Sequence, residues 1–439
     1  MSTNRLRVAI VGAGPAGLYA AGHLLDEHDI EVDVDIIDLL PTPFGLVRAG
    51  VAPDHPEKKL VIDRLFDFYL DHPRVRFFGN VDLGTDITHE DLKARYDAVI
   101  YAVGASDDAR LGIPGEDLPG SHSARDFVGW YNGHPDYSAL SFDLSAKRAV
   151  IIGNGNVALD VARILTLSSD KLGQTEIADH ALRALASSAI EEVVILGRRG
   201  PEHAAFNNPE IEEFAHLDGI DIQIEGAHFD NLPEDLDWNA RRKLDTLKRL
   251  AQTSSHRSGK RIVLKFMTAP VEILGDSKVT GLKTVSKTAT GKQADTIDAG
   301  LIFRSVGYRG AALPGLPFDE ARCIIPNVRG RVTDQDTATP GIYVTGWIKR
   351  GPRGVIGTNK KCALETVQCL LEDSKAGRLE RGEMAGESLE TLLDQRKPGW
   401  VAMGDWKRID KRERSAGADQ GRHRVKMTSW DKLLEAAAG

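Results

Sequence analysis

The run Arg7-Val8-Ala9-Ile10-Val11-Gly12-Ala13-Gly14-Pro15-Ala16-Gly17 decides how this chain is read. A short β-rich stretch, Arg7–Val11, enters a Gly-x-Gly-x-x-Gly turn, and helical periodicity over Ala16–Glu27 leaves it. In that context each glycine has a task. Gly12 permits the tight turn, Gly14 lets the backbone approach a pyrophosphate, and Gly17 allows close helix–strand packing. Free N–H groups at the positive end of the helix then receive the phosphates. A partner acid is expected about 20 residues further on. Asp38 closes the apolar alternation Val32–Asp38. The order β-α-β predicts a parallel sheet with right-handed crossovers, and Ala98–Val103, ended by Gly104, reads as another buried strand.

The arrangement restarts further along. Arg148–Ile152 predicts a strand, Gly153-Asn154-Gly155-Asn156-Val157-Ala158 a second turn, and Asn156–Leu167 a helix. Ala158 stands in the third glycine position, a permitted variant. Glu192–Leu196 is the next strand, with an inserted polar or helical segment over Ser168–Ser188. Where an acid is expected, Arg198 and Arg199 stand. A carboxylate would repel a 2′-phosphate, whereas a guanidinium grips one through paired charge-assisted hydrogen bonds. The acid-bearing turn therefore suits the adenosine of FAD, and the arginine-bearing turn suits NADPH. Short strands with glycine turns are expected from Ile262 to Val306, for example Lys278–Ser286, and Gly341–Thr345 is a late strand. The charged tail from about Glu372, with Trp400, Trp406 and Trp430, predicts helices in a packed extension.

Composition narrows the chemistry. The 439 residues, 41% hydrophobic and 27% charged, suffice for two or three domains with buried cores. A net charge of −8 argues against nucleic acid or an anionic membrane as partner. No apolar run approaches the roughly 20 residues that span a bilayer. The apolar run at Val8 follows Met1–Arg7 too closely for a signal peptide, so the cytoplasm is the expected location; a monomer is expected as well. Cys323, Cys362 and Cys369 form no CxxC pair and cannot supply four thiolates, so no metal site is expected. Any redox centre must be a bound organic cofactor.

Beyond the turns, the chain resembles the adrenodoxin reductase-type family of ferredoxin–NADP+ reductases from about Val8 to the C-terminal tail. The carrying residues are Pro43-Phe44-Gly45-Leu46-Val47-Arg48, Gly50-Val51-Ala52-Pro53-Asp54-His55-Pro56, Gly153–Arg163, Arg198-Arg199-Gly200-Pro201, and Gly346-Trp347 with Arg350–Gly357. The resemblance implies an α/β fold of two Rossmann-like dinucleotide-binding domains, the NADP domain inserted in a discontinuous FAD domain. The expected boundaries are 1–104 and 329–439 for FAD, with the C-terminal extension, and 105–328 for NADP. It implies FAD contacts from Ala13, Asp38, Leu46 and Val81, with Trp347 and Gly354-Val355-Ile356 along the flavin. NADP contacts would come from Arg110, Asn154–Val157 (with Gly155), Arg198, Arg199 and Glu210. Asp38 departs from the family, where a longer glutamate is usual.

A hydride is then expected to pass from NADPH to FAD, and single electrons from FAD to a ferredoxin-type iron–sulfur protein. Such transfer needs alignment more than acid or base. The family-matched polar groups near the flavin are His55 and Glu213, which could orient the nicotinamide or manage a proton. Arg241 to Lys265 holds nine basic residues against one acid, Asp245. Helical periodicity puts Arg241, Arg242, Lys248 and Arg249 on one face and Leu244, Leu247 and Leu250 on another, a candidate docking face for an acidic ferredoxin. The alternative is a flavin-bound electron-input subunit of a larger complex without turnover of its own. A disulfide reductase conflicts with the missing CxxC, and nothing further supports a monooxygenase.

Overall fold

The computed structural model describes residues 5–229, 235–253, 259–288, 291–335, 337–380, 382, 384 and 387–439. The contacts divide the chain into two compact units. One comprises Met1–Val51, His55–Asp107 and Tyr308–Gly439, the other Ala52–Asp54 and Asp108–Gly307. Tyr308 to Val328 thus sides with the first unit, where the sequence reading carried the inserted segment to residue 328. The reason is local. Asn327–Val328 pairs antiparallel with Arg331–Asp334 in the first unit's sheet, and Arg309 Nε donates to Cys323 Sγ at 3.0 Å.

Among the described residues, the first unit carries a seven-stranded sheet. Its order is Asn327–Val328, Arg331–Asp334, Thr337–Val344, Ala98–Tyr101, Arg5–Val11, Glu31–Ile37 and Val75–Phe78. The five strands from Thr337–Val344 to Val75–Phe78 run parallel. Side chains of a strand alternate between faces, and a parallel sheet is covered on both. Val8 and Ile10 accordingly join Val34, Ile36 and Ile100 in one core, while Ala9 and Val11 join Ile37, Val99 and Tyr101 in the other. Leu18 and Leu24 of the Pro15–Leu25 helix and Val367 and Leu370 of Thr358–Lys375 pack on the first face.

The expected tail helices are present as Leu389–Arg396, Met403–Ala418 and Trp430–Ala438. Their anchor is ionic as well as apolar. Glu413, fully buried, takes both Nη groups of Arg48 at 2.8 and 2.5 Å, Arg424 Nη1 at 3.1 Å and the Met427 N–H at 2.8 Å. Burial penalises the carboxylate, but Arg48, Arg424 and the Met427 N–H together outweigh it and hold its pKa below the ordinary range. Trp406 lies beneath Arg48 and meets the Phe44 ring edge-on. The tail thus grips the loop at 44–48.

The second unit has a six-stranded parallel sheet, ordered Ser121–Ser123, Leu301–Arg304, Arg148–Ile152, Glu192–Leu196, Lys260–Lys265 and Ile220–Glu225. Helices cover one face. The other is covered by a three-stranded antiparallel sheet, Thr268–Leu274, Gly281–Thr288 and Gly291–Asp298, whose Ile273, Leu282 and Ile297 meet Val150, Ile152 and Val194. Its middle strand begins at Gly281 and not at Lys278 as expected. Gly275, at φ 145°, turns so tightly that a Cβ there would lie 1.9 Å from the Lys278 carbonyl oxygen, which leaves 278–280 in the turn. Among the described residues no helix is long and apolar enough to cross a membrane.

Candidate functional site

The two glycine turns share one construction. Gly12 and Gly153 have φ of 109° and 114°, and their N–H groups donate to the carbonyls of Ile37 and Leu196 on the neighbouring strand, at 2.7 and 3.0 Å. A Cβ on either would strike a backbone oxygen, that of Ala102 at 2.6 Å or Ser305 at 2.0 Å. At Gly14 and Gly155 a Cβ would meet nothing within 4 Å. At these points the backbone lies open, each at the N-cap of an eleven-residue helix, where free N–H groups can receive an anion. At the third position the turns differ. A Cβ on Gly17 would sit 2.0 Å from the Gly12 oxygen, whereas the second turn accommodates the buried methyl of Ala158.

The strand ends differ in charge. Asp38 accepts the Ala13 N–H at 2.7 Å on Oδ2 and the Leu40 N–H at 2.9 Å on Oδ1. Each oxygen keeps a lone pair for a ribose hydroxyl. Val81, buried, donates its N–H to the Asp38 carbonyl. Phe44, at the unusual φ of 81°, donates to the Ala13 carbonyl, and Gly45 lies against Gly14, so the loop bearing Leu46 rests on the first turn. Arg198 and Arg199 are exposed; Arg199 donates only a long 3.5 Å bond to the His203 carbonyl. Gly197 brings them beside the second turn, since a Cβ there would meet the Asn154 amide at 2.6 Å. Asn154 and Asn156 accept the N–H groups of Ala205 and Asn207, tying the turn to the Asn208–Glu212 helix that carries buried Glu210.

A model of the pyridine nucleotide-disulphide oxidoreductase family matches residues 6–200. The chain is 46% identical to the NADPH-ferredoxin reductase FprA of Mycobacterium tuberculosis, over 98% of this chain and 99% of that one. It is 41% identical to the mitochondrial NADPH:adrenodoxin oxidoreductase of Arabidopsis thaliana, over 100% and 96%. The solved structure of M. tuberculosis FprA in complex with NADPH aligns with a TM-score of 0.92 at 44% identity, covering 99% of this chain and all of that one.

The chain belongs to the adrenodoxin reductase-type family.

The family's late motif lies in the first unit. Gly346, at φ 76°, seats the Trp347–Arg350 turn against the first helix, where a Cβ would press on Ala16 at 2.6 Å. Trp347 packs on Tyr308, and its buried Nε1 has no partner among the described residues. A Cβ on Gly351 or Gly357 would meet open space, Val355 is half exposed, and Ile356 packs on the core. Gly354, at φ 89°, faces the Thr358 side chain instead. An open cradle at Gly14, an unpartnered donor and a bare backbone fit a flavin dinucleotide in the first unit.

His55 and Glu213 fall in different units. His55 is buried, with Nδ1 3.1 Å from Glu57 Oε1. Glu213, a third exposed, lies 3.5 Å from Arg163 Nη1. Arg163 is the residue that sequence reading left without a role. It is buried, takes Asp54 on Nε at 2.7 Å and Asp160 on Nη2 at 2.8 Å. Burial opposes its charge, but Asp160 and Asp54 prevail and keep it protonated. The Asp160–Arg163 spacing of three on one helix was the available signal. Arg110, expected to touch NADP, is exposed and held by Asp117 at 2.6 Å.

Asp38 also sets a pH dependence. Burial lifts its pKa to about 6 despite the Leu40 and Ala13 N–H bonds. The folded chain then binds a proton that the unfolded chain releases between about pH 4 and 6, so stability from this group is greatest below that window and falls as pH rises through it. FAD-free Asp38→Asn protein should therefore gain on wild type by about 1 kcal/mol between pH 5 and pH 7 in denaturant melts. A pH-independent difference would refute this.

Proposed function

We propose that the first unit holds FAD and the second holds NADPH, and that the chain is a ferredoxin–NADP+ reductase acting as a cytoplasmic monomer. The observation that carries this is the pair of open glycine cradles whose strand ends have opposite charge, Asp38 against Arg198 and Arg199. The full-length likeness to an NADPH-ferredoxin reductase and an NADPH:adrenodoxin oxidoreductase supports it. On this reading 1–104 and 329–439 build the FAD domain, joined by 308–328, and the intervening chain the NADP domain.

Bound FAD supplies a ring that accepts two electrons together and releases them singly. The balance is one NADPH and two oxidised iron–sulfur partners giving NADP+, two reduced partners and one proton. The chain's share is positioning. Gly14 and Gly155 admit the pyrophosphates, Asp38 accepts a ribose hydroxyl, and Arg198 and Arg199 take the 2′-phosphate. Asn154, Asn156 and Val157 line the second cradle, with Glu210 behind it; Arg110 joins by exchanging Asp117 for phosphate. Leu46, Val81, Trp347 and Gly354–Ile356 line the flavin. Anaerobic NADPH should bleach the bound flavin, and oxidised ferredoxin should restore it. A flavin that NADPH leaves oxidised would overturn the reading.

His55 and Glu213 orient the nicotinamide or move the accompanying proton. His55→Ala and Glu213→Ala should each slow flavin reduction about 10²-fold in stopped flow while FAD stays bound. Unchanged rates would remove both from the mechanism.

The Trp238–Thr253 helix presents the docking face. Leu244, Leu247 and Leu250 are buried, and Arg241, Arg242, Lys248 and Arg249 are exposed. Arg242 is partly neutralised by Glu212 at 2.6 Å and stacks on exposed Trp238. Arg241→Glu with Lys248→Glu should cut ferredoxin reduction about tenfold at low salt and flatten its salt dependence. Equal salt slopes would assign docking to another face.

A further inference from the structure

Trp347–Arg350 is a single helical turn. Its end residues stand three apart, so their side chains share a face. Among the described residues, that face holds three buried N–H donors without an acceptor: Trp347 Nε1, Arg350 Nε and Arg350 Nη1. Arg350 Nη2 is satisfied, by Asn359 Oδ1 at 3.0 Å and the Arg353 carbonyl at 3.2 Å. Both of these partners are neutral, and no carboxylate pairs with this guanidinium among the described residues. Two buried arginines are paired with carboxylates instead. Arg48 has Glu413, and Arg163 has Asp54 and Asp160.

An unmade buried donor costs roughly 1–3 kcal/mol, more for a charged group. Three on one turn mark a place where the acceptor atoms of a ligand belong. The turn's location narrows the choice. Gly346 seats it on Ala16 beside the first glycine turn, and Asn359 belongs to the first turn of Thr358–Lys375. Along the chain Arg350 sits between Trp347 and Gly354–Ile356, the residues given to the flavin under the proposed function, on which this step rests. We infer that Arg350 faces the pyrimidine edge of the flavin, whose carbonyl oxygens and ring nitrogen are acceptors, and that its charge favours the reduced ring. A hydride brings two electrons and one proton, so the ring gains one negative charge on reduction, and a fixed cation at that edge stabilises it.

The test is the two-electron midpoint potential of the bound flavin, titrated anaerobically against a reference dye, with NADP+ affinity measured beside it. Arg350→Gln keeps N–H donors and removes the charge; Arg350→Lys keeps the charge. Arg350→Gln should weaken reduction at least tenfold, about 30 mV more negative for a two-electron couple. Arg350→Lys should stay within about threefold of wild type, and NADP+ affinity should hold in both. Equal potentials in all three proteins overturn the inference. So does a loss confined to NADP+ affinity, which gives the guanidinium to the nicotinamide nucleotide, and so does release of FAD by Arg350→Gln, which makes it a grip on the oxidised ring. Wild-type protein that takes up no FAD would instead sink the assignment of the first turn.

Discussion

Gly17→Ala is expected to yield a chain that retains no FAD, and the reason is steric alone. The residue is helical, so alanine meets no torsional penalty there. Its Cβ, however, would sit 2.0 Å from the Gly12 carbonyl oxygen and 3.1 Å from Ile10 Cγ2. The severe contact is with the Gly12 backbone, which cannot swing aside as the end of a flexible side chain would. The helix must move off the strand, which opens the turn and turns its N–H groups away from the pyrophosphate. Overpacking of this kind costs roughly 1–3 kcal/mol in stability, and more where backbone must shift. Gly14→Ala separates the two losses. Its Cβ meets nothing in the protein, so the fold should melt as wild type while the methyl blocks the phosphate. The measurements are visible flavin absorbance per chain and denaturant melts of the FAD-free proteins. Full flavin occupancy in Gly17→Ala, or a Gly14→Ala protein as unstable as Gly17→Ala, would show that the three glycines do not divide their work this way.

The steric side of that division is legible in the sequence, because each role depends on atoms within a few residues of the turn or on adjacent strands. Strand–turn–helix order, the acid at Asp38 and the arginines at Arg198 and Arg199 are short-range features of the same kind. What stayed hidden depends on distance along the chain. Arg48 meets Glu413 across 365 positions, and nothing in either neighbourhood names the other. The grip of Asp38 on the Ala13 amide was equally invisible, since a strand-end acid can face outward to a ribose or inward to its own turn. The three-stranded sheet that covers the second unit shows a related limit. Its short strands were legible as strands, but a glycine turn at Gly275 displaced one boundary, and covering a face is a property of the assembled sheet. Within the candidate site, Arg163 illustrates why motif matching stops short. The motif supplied its position beside Asp160, and only the fold brings Asp54 and Glu213 around it.

The strongest functional consequence lies at the second turn. Arg198→Ala with Arg199→Ala is expected to lower kcat/KM for NADPH about 10²-fold or more and to leave NADH nearly unchanged. A charge-assisted hydrogen bond contributes roughly 1.5–3 kcal/mol, and each 1.36 kcal/mol is tenfold in rate. Two such residues could account for about 10²–10⁴. Both guanidiniums are exposed, so screening favours the lower end of that range. The geometry argues that the effect will be selective. Neither arginine supports the fold: Arg199 makes one long bond to a carbonyl, and the strand before them is held by its parallel neighbours. The cradle itself, built by Gly153, Gly155, Asn154 and Asn156, is untouched and treats the pyrophosphate of either coenzyme alike. Only the 2′-phosphate distinguishes them, so its loss of partners must appear as lost preference. Raised salt should erode the wild-type preference in the same direction, because the contact is charge on charge at an exposed site. Steady-state kinetics with both coenzymes decide the matter. Equal losses for NADPH and NADH would mean that the arginines hold the cradle's shape and not the phosphate, and the assignment of NADPH to this turn would then fall.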